Sequence, residues 1–215
     1  MKIFLDTADV EQIKKRLPMG LVDGVTSNPK YVSYTGRPFE EVIKEVAAVV
    51  PGPFSVEGKE TEYEAMIAEA RGLVSYGRNI VVKLPMTVDG LRAAQVLVKE
   101  GVQINLTLVA SLNQALLAAK SGVTYISVVV GWLDEAGENG MDSAIKVQEM
   151  IRRYGFGSKL ICGAMRTPQH VTRAIENGLD IVTLGCELFD RIFLNPVTTE
   201  GLEKFAALWR NIPEP

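Results

Sequence analysis

The sequence predicts an α/β protein: a single (β/α)₈ TIM barrel with an additional C-terminal helix. Short apolar runs rich in β-branched residues alternate eight times with amphipathic segments, which is typical of parallel strands covered by helices. The 215 residues contain no low-complexity tract or Pro/Ser-rich linker, so we expect one domain over 1–215. An open doubly wound sheet is the alternative, but no glycine-rich dinucleotide motif supports it.

The strands and helices follow from these runs in chain order. Continuous apolar segments predict strands over 3–5, 21–26, 54–57, 80–84, 102–107, 123–130, 160–164 and 181–184. Apolar residues spaced by three and four predict helices over 10–17, 38–50, 62–75, 88–99, 112–121, 141–154, 168–177 and 187–193. Four of the helices end at a glycine suited to a left-handed cap, namely Gly101, Gly122, Gly155 and Gly178.

A further amphipathic helix is predicted over 199–210, after the eighth barrel helix. Leu202, Phe205, Ala206 and Trp209 share one face of it. This face either covers its own barrel or docks on a neighbouring subunit, since apolar faces of this size are rarely left in water. We take a homo-oligomer as the hypothesis.

The composition excludes several classes of protein. Hydrophobic residues make up 47% and charged residues 23% of the chain, unlike disordered, collagen-like or disulfide-stapled proteins. With 23 Lys and Arg against 26 Asp and Glu, the net charge of −3 leaves no basic excess for nucleic acid. No apolar run is long enough for a signal peptide or a membrane span, so we expect no membrane association and a cytoplasmic location.

Cysteine and histidine are scarce. Cys162 and Cys186 lie in apolar or glycine-containing runs, and we expect reduced, buried thiols rather than a disulfide. His170 is the only histidine, so a multi-histidine metal site is impossible, and a Ser-His-Asp or Cys-His site would have to use it. The sequence therefore predicts no metal site.

Polar residues end seven of the eight predicted strands. The C-terminal ends of barrel strands meet at one opening, where reactive groups sit. We therefore expect these side chains at that opening: Asp6, Ser27, Asn28, Glu57, Lys83, Asn105, Thr107, Ser127 and Arg166.

Lys83 interrupts the apolar run IVVKLP (80–85). Burial would disfavour its ammonium form and lower its pKa, so that a neutral amine could attack a carbonyl carbon to form a Schiff base. The alternatives are a lysine whose amine reaches solvent and one paired structurally with a carboxylate. Position alone does not separate these alternatives.

Two carboxylates favour the catalytic alternative. Asp6 ends the first predicted strand and Glu57 the third, and a Schiff-base aldol reaction needs groups that move protons at the substrate hydroxyl and at the carbinolamine. Thr107 follows Asn105 on the same strand face and is suited to orient a water. Each carboxylate alone has a structural explanation, Asp6 as a helix cap, so the convergence with Lys83 is what indicates chemistry.

Six segments together resemble the small transaldolase and fructose-6-phosphate aldolase family. They are FLDTAD (4–9), DGVTSNP (23–29), VVKLPMTVDGL (81–91), INLTLV (104–109), QALLAAKSGVTYIS (114–127) and GLEKF (201–205). Each is weak alone, but LDTA, GVTxNP and VVKxP in this order and spacing are highly specific. The resemblance runs essentially the whole length of the chain.

The resemblance implies a class I aldolase that needs neither metal nor organic cofactor. Lys83 would attack the C2 carbonyl of a ketose, and Asp6 would be the acid/base at the C4 hydroxyl. Glu57 and Thr107 would hold the water used in forming and hydrolysing the Schiff base. The dihydroxyacetone unit would be held by residues matching Asn28, Asn105 and Ser127. The family also forms rings of subunits, commonly decamers, through the C-terminal helix.

Two loops depart from the family pattern. Family transaldolases usually carry Phe-Val-Gly-Arg after strand six and Ser-Ile-Arg after strand seven, and these two arginines and the serine grip the sugar phosphate. Here the positions read VVGW (129–132) and AMR (164–166). Trp132 keeps one N–H donor but removes a full charge, so ordinary phosphate binding is put in doubt.

Two interpretations of the substrate end group follow. In one, Trp132 packs on the rim and another cation, Lys30 or Arg37, restores phosphate binding. In the other, the end group is a monoanion such as the sulfonate of 6-deoxy-6-sulfofructose, held by Arg166 and weaker donors. The Gly-Trp pair at 131–132, a cation after Asn-Pro and Gly185 after strand eight resemble the sulfofructose transaldolase branch, which we favour over fructose 6-phosphate.

The fate of the carbon unit is also open. Glu57 rather than glutamine, and Val129 rather than tyrosine, resemble the transaldolases more than the hydrolytic aldolases. Transfer to glyceraldehyde 3-phosphate or erythrose 4-phosphate is therefore favoured over release of free dihydroxyacetone. A non-catalytic sugar-binding barrel is the alternative from another class. The set of Asp6, Glu57, Lys83 and Thr107 argues against it.

Overall fold

Eight parallel strands close into a barrel in sequence order. The computed structural model describes residues 1–213. Each strand pairs with the next, and the last pairs with the first. The strands are β1 (Lys2–Asp6), β2 (Gly24–Thr26), β3 (Phe54–Glu57), β4 (Ile80–Pro85), β5 (Ile104–Val109), β6 (Tyr125–Val129), β7 (Lys159–Gly163) and β8 (Ile181–Leu184). The predicted barrel is confirmed.

Eleven α-helices are found in residues 1–213. They are α1 (Val10–Arg16), α2 (Pro29–Tyr34), α3 (Phe39–Val49), α4 (Tyr63–Leu73), α5 (Val88–Lys99), α6 (Leu112–Lys120), α7 (Val130–Glu135), α8 (Gly140–Tyr154), α9 (Pro168–Glu176), α10 (Cys186–Arg191) and α11 (Pro196–Trp209). Short 3₁₀ helices occupy Leu17–Met19 and Val74–Tyr76. Side-chain oxygens of Asp9, Thr87 and Ser111 cap the first turns of α1, α5 and α6.

The observed elements differ from the predicted ones mainly around two short helices. Helix α2 was not predicted; Asn28 caps it and Pro29 takes its first position. Helix α7 begins at Val130, which the prediction had placed in the strand 123–130. A run of valines does not by itself show where a strand ends and a buried helix begins. Helix α11 begins at Pro196, earlier than position 199, since Asn195 caps it there.

The remaining differences are small. Strand β2 covers only the last half of the predicted 21–26. The four predicted glycine caps all adopt left-handed backbone, with φ between 60° and 81°. The predicted domain 1–215 includes residues 214 and 215, which lie outside the described residues. Cys162 is buried and Cys186 half-buried, and both are free thiols.

The core has two parts. The larger lies between the outer face of the strands and the helices. A smaller apolar cluster fills the barrel interior below the opening and consists of Phe4, Val81, Tyr125, Ile161 and Ile181. Side chains alternate between the two faces of a strand, so the inner cluster shows which residues of each strand point inward.

Helix α11 carries exposed apolar side chains and no buried residue. Leu202, Phe205 and Trp209 are 65%, 63% and 69% exposed, so this face does not cover the chain's own barrel. Within 1–213, no helix has the combination of length and apolar character that crossing a bilayer requires.

Candidate active site

A cavity of about 370 Å³ opens at the C-terminal ends of the barrel strands, where barrel enzymes hold their reactive groups. Its lining includes nine of the side chains proposed from the sequence: Asp6, Asn28, Lys30, Glu57, Lys83, Thr107, Ser127, Trp132 and Arg166. The fold therefore brings together residues that are far apart in sequence.

Lys83 and Glu57 form an ion pair in this cavity. They are register partners on the neighbouring strands β4 and β3, and both point inward because Lys83 lies two residues beyond Val81 of the inner cluster. Lys83 Nζ lies 2.9 Å from Glu57 Oε2, and their side chains are only 11% and 19% exposed. Lys83 Nζ also donates to the carbonyl oxygen of Ser27 at 3.2 Å.

The pair bears on the alternatives that the sequence left open for Lys83. The side chain is both buried and paired with a carboxylate. The amine still lines the cavity, so the pair does not seal it away from a substrate.

Asp6 is the second carboxylate of the cavity. Burial raises the pKa of Asp6 above its usual value, while Lys83 and the hydroxyl of Thr26 lower the same pKa to a smaller extent. A carboxylate with a raised pKa is a better base for a substrate hydroxyl than an ordinary exposed one.

Two threonines that the sequence reasoning missed support Asp6. Thr26 Oγ1 donates to Asp6 Oδ1 at 2.7 Å, and Thr183 Oγ1 lies 2.7 Å from Thr26 Oγ1. Since the single hydroxyl proton of Thr26 goes to Asp6, Thr183 donates to Thr26. The sequence reasoning chose Ser27, but the neighbouring Thr26 is the residue whose side chain points into the barrel. Because side chains alternate along strand β2, this alternation could have identified Thr26.

Asn105 lies beneath the opening. It is fully buried, donates to Ser55 Oγ at 2.8 Å and accepts from Ser127 Oγ at 2.8 Å. Ser127 reaches the cavity lining, but Asn105 does not. Asn105 is therefore placed to orient the Ser127 hydroxyl from beneath the cavity.

Ser27 and Gly185 also lie outside the main lining. Ser27 is buried, and the group it offers to the site is its carbonyl oxygen. Gly185 lines an adjacent cavity of about 340 Å³, which shares Asp6, Tyr31 and Arg166 with the main one.

Tyr31 is a further residue that the sequence reasoning missed. It lines both cavities, and burial together with the negative charge of Asp6 raises its pKa well above the usual value. Its phenol therefore stays protonated and can act as a hydrogen-bond donor beside Asp6. The helix α2 that carries it was not predicted, so no signal pointed to its orientation.

The anion-binding side of the cavity contains Arg166, Trp132 and Lys30. Trp132 is 52% exposed at the rim. Arg37 does not join them, because its guanidinium pairs with Glu45 at 2.6 Å; it is thus a poor candidate for the compensating cation. Arg191, which the sequence reasoning missed, lines the adjacent cavity with Arg166.

Two non-glycine residues of the lining adopt left-handed backbone. Leu108 has φ 61° and Ala164 has φ 54°, and Leu108 lies where the register between β5 and β6 shifts. Such conformations cost energy and are concentrated at functional sites. Leu108 lies next to Thr107 near the end of β5, and Ala164 directly follows the last residue of β7.

His170 plays no part in a nucleophile–base arrangement. Its Nδ1 accepts the backbone N–H of Arg166 at 3.3 Å, and its Nε2 lies 3.4 Å from Asp134 Oδ2. Within residues 1–213 no cluster of three or more His, Cys, Asp or Glu side chains is arranged to hold a metal ion.

The chain matches a known family over nearly its whole length. A family model described as "Transaldolase/Fructose-6-phosphate aldolase" matches residues 3–213.

Three curated relatives described as "Probable transaldolase" are similar to this chain end to end. The protein from Lactiplantibacillus plantarum is 48% identical over 210 residues, covering 98% of this chain and 97% of its own. That from Methanococcus maripaludis strain C7 is 47% identical over 209 residues, covering 97% of each chain. That from Anaeromyxobacter sp. strain K is 46% identical over 214 residues, covering 100% of this chain and 99% of its own.

The barrel is also similar to solved structures. A fructose-1,6-biphosphate aldolase candidate from Coccidioides immitis superposes with a TM-score of 0.58 at 12% identity, covering 86% of this chain and 73% of the other. At this identity the likeness supports the fold alone.

The contact between Thr26 and Asp6 predicts a measurable change in ionisation. Replacing Thr26 by the isosteric valine (Thr26→Val) removes a donor to the carboxylate, so the pKa of Asp6 should rise further. Thr183→Val, which acts through Thr26, should raise it less. Carboxyl-carbon NMR titration of the three proteins measures both shifts. An unchanged or lowered Asp6 pKa in Thr26→Val would contradict the assignment.

Proposed function

This chain belongs to the transaldolase/fructose-6-phosphate aldolase family, and from that premise we propose that it forms a Schiff base at Lys83 and transfers a dihydroxyacetone unit between sugars. The observation that carries the proposal is the ion pair in the barrel opening: Lys83 Nζ lines the cavity 2.9 Å from Glu57. Asp6 lines the same cavity, which supplies a second proton carrier.

Schiff-base formation is the first step. Glu57 takes a proton from the Lys83 ammonium, and the amine nitrogen bonds to C2 of the ketose. The nitrogen then passes a second proton to the former carbonyl oxygen, which becomes a hydroxyl. The resulting carbinolamine loses its hydroxyl as water when Glu57 returns the proton, leaving an iminium. Thr107, in the same lining, would hold that water beside Glu57.

Carbon–carbon cleavage is the second step. Asp6 as carboxylate takes the proton of the C4 hydroxyl, the C3–C4 bond breaks, and its electron pair moves into the iminium to give an enamine on Lys83. The fragment that leaves is an aldehyde bearing the end group of the donor. The raised pKa of Asp6 suits this proton transfer, because the best base has a pKa near the working pH.

Transfer to an acceptor completes the cycle. The enamine carbon attacks the acceptor aldehyde, Asp6 returns its proton to the new hydroxyl, and water releases the product ketose from Lys83. Glyceraldehyde 3-phosphate and erythrose 4-phosphate are the acceptors that the family resemblance favours. Because such phosphorylated sugars are charged and do not cross membranes, they are consistent with action in the cytoplasm.

The donor favoured here is 6-deoxy-6-sulfofructose, with fructose 6-phosphate as the second candidate. A phosphate monoester carries a charge of about −1.5 to −2 at neutral pH, whereas a sulfonate carries one. On the anion-binding side Arg166 stands with Trp132, which has one N–H donor and no charge, and with the exposed Lys30. This modest positive charge is better matched to a monoanion. Asn28, Ser127 and Gly185 would contact the sugar around it.

Two alternatives predict different products. A fructose-6-phosphate aldolase would release free dihydroxyacetone to water rather than pass it on. A non-catalytic sugar-binding barrel would form no covalent intermediate. The aliphatic Val129 in the lining offers no proton carrier for rapid hydrolysis, which favours transfer.

We also propose that the chain forms a homo-oligomer, a ring that could be a decamer, through helix α11. The exposed apolar side chains Leu202, Phe205 and Trp209 lie on this one helix, and a second copy of the chain would remove them from water.

Substituting Lys83 tests the nucleophile. Lys83→Met keeps an apolar stem of similar length but has no amine, so transaldolase activity should fall by orders of magnitude while circular dichroism shows a folded protein. Lys59→Met is the matched control, because Lys59 is 85% exposed and pairs with Glu60 at the surface; its activity should stay near wild type. Substantial activity in Lys83→Met would refute the assignment.

Comparing two donors tests the substrate. With glyceraldehyde 3-phosphate as acceptor, kcat/KM for 6-deoxy-6-sulfofructose should exceed kcat/KM for fructose 6-phosphate, since the site offers few charges for a dianion. A clear preference for the phosphate would assign the second candidate instead.

Charge substitutions on helix α11 test the oligomer. The wild-type chain should have a molar mass of several subunits by light scattering, and the double variant Phe205→Glu/Trp209→Glu should shift to smaller species. Ile175→Glu, an equally exposed apolar position on helix α9 at 61%, is the control and should leave the mass unchanged. A monomeric wild-type protein would disprove this proposal.

A further inference from the structure

Arg166 is held in place by two contacts outside the cavity, and Gly131 leaves room for its side chain. Its guanidinium Nη2 lies 3.0 Å from Glu135 Oε1, and its backbone N–H donates to His170 at 3.3 Å. Gly131 gives it room, because a Cβ at residue 131 would lie 2.9 Å from Arg166 Nε and 2.2 Å from the carbonyl oxygen of Ala164. The arginine that faces the substrate end group is therefore also tied to helix α7, which carries both Gly131 and Glu135.

Glu135 itself is not a lining residue of either cavity. It is exposed, and its side chain is 64% accessible against 48% for Arg166. An exposed pair of this kind contributes little to stability. Its consequence is electrostatic: a carboxylate bonded to the only arginine of the main cavity lining offsets part of the charge that a bound anion meets.

We propose that Glu135 is a specificity-determining residue, which acts through Arg166 to make the end-group site favour a monoanion over a dianion. The proposal rests on the proposed function, because it assumes that Arg166 holds the charged end of the donor. Glu135 needs no contact with the substrate for this effect, since charge–charge interactions extend over several ångströms.

The charges at the end-group site determine this preference. Beside an unpaired arginine, each additional negative charge on the end group gains attraction, so a dianion would bind more tightly than a monoanion. When Glu135 pairs with Arg166, the two side chains together carry no net charge, and the second charge of a phosphate gains little. Its desolvation cost remains, because moving a more highly charged group out of water is more expensive.

Other charged groups near this end of the cavity do not replace Glu135. Lys30 lines the cavity but is exposed and lies 5.7 Å from the Tyr34 ring centroid. Arg191 lines only the adjacent cavity. Asp134 faces His170 rather than the guanidinium. Among the described contacts, Glu135 is therefore the carboxylate bonded to the Arg166 side chain.

The test compares the preference for phosphate over sulfonate as the charge at residue 135 is changed from negative to neutral to positive. For wild type, Glu135→Gln and Glu135→Lys, kcat/KM is measured for fructose 6-phosphate and for 6-deoxy-6-sulfofructose with the same acceptor. The phosphate/sulfonate ratio should rise about tenfold in Glu135→Gln and further in Glu135→Lys. The change should fall on the KM of the phosphate donor with kcat little altered, because chemistry at Lys83 is untouched. Glu138→Gln, which changes an exposed carboxylate in the loop after helix α7, is the control and should keep the wild-type ratio.

The outcomes separate this inference from the proposed function. A ratio within about twofold of wild type in both Glu135 variants overturns the inference, whichever donor the wild-type enzyme prefers. A wild-type preference for phosphate overturns the sulfosugar assignment alone, and the ratio still reports on Glu135. If neither sugar is turned over, calorimetric binding of the two sugars to the same proteins gives the ratio, and binding of neither overturns the inference together with the proposed function.

Discussion

The pairing of β3 with β4 fixes the site on which the whole account depends. In a closed parallel barrel, register partners on neighbouring strands point to the same face, so Glu57 and Lys83 meet inside the opening. The apolar cluster around Phe4 and Tyr125 fills the barrel below them. A one-residue slip of either strand would turn its charged group into the helix layer and separate the pair.

Hydrogen-bonded polar side chains surround this pair in the barrel interior. A buried hydrogen-bond network runs from Ser55 through Asn105 to Ser127, which lines the cavity, and every buried side-chain polar atom in residues 1–213 has a partner. Asp6 has its own support from Thr26. The two carboxylates therefore have different environments: Glu57 is bonded to the amine, while burial dominates at Asp6 and raises its pKa. Different environments allow them to serve two different proton transfers.

The sequence predicted the barrel and most of the cavity because both depend on local patterns. Eight apolar runs locate the strands, and the polar residues that end them locate the opening. It could not predict the Lys83–Glu57 contact, which needs the register between strands. It also missed Tyr31, which lies on the unpredicted helix α2. Thr183 was missed because no polar residue was identified at the end of the eighth predicted strand. Glu135 lies on helix α7, whose first residue was assigned to a strand. These residues act through long-range contacts that no local pattern records.

The most direct test of the account is to trap the Lys83 amine on a substrate carbon. The enzyme is incubated with a ketose donor and borohydride, digested and examined by mass spectrometry, since reduction of an iminium leaves a stable secondary amine. We expect one added sugar-derived mass, confined to the peptide that contains Lys83 and absent from Lys83→Met. An adduct on a different lysine, or none under conditions where the enzyme turns over, would contradict it.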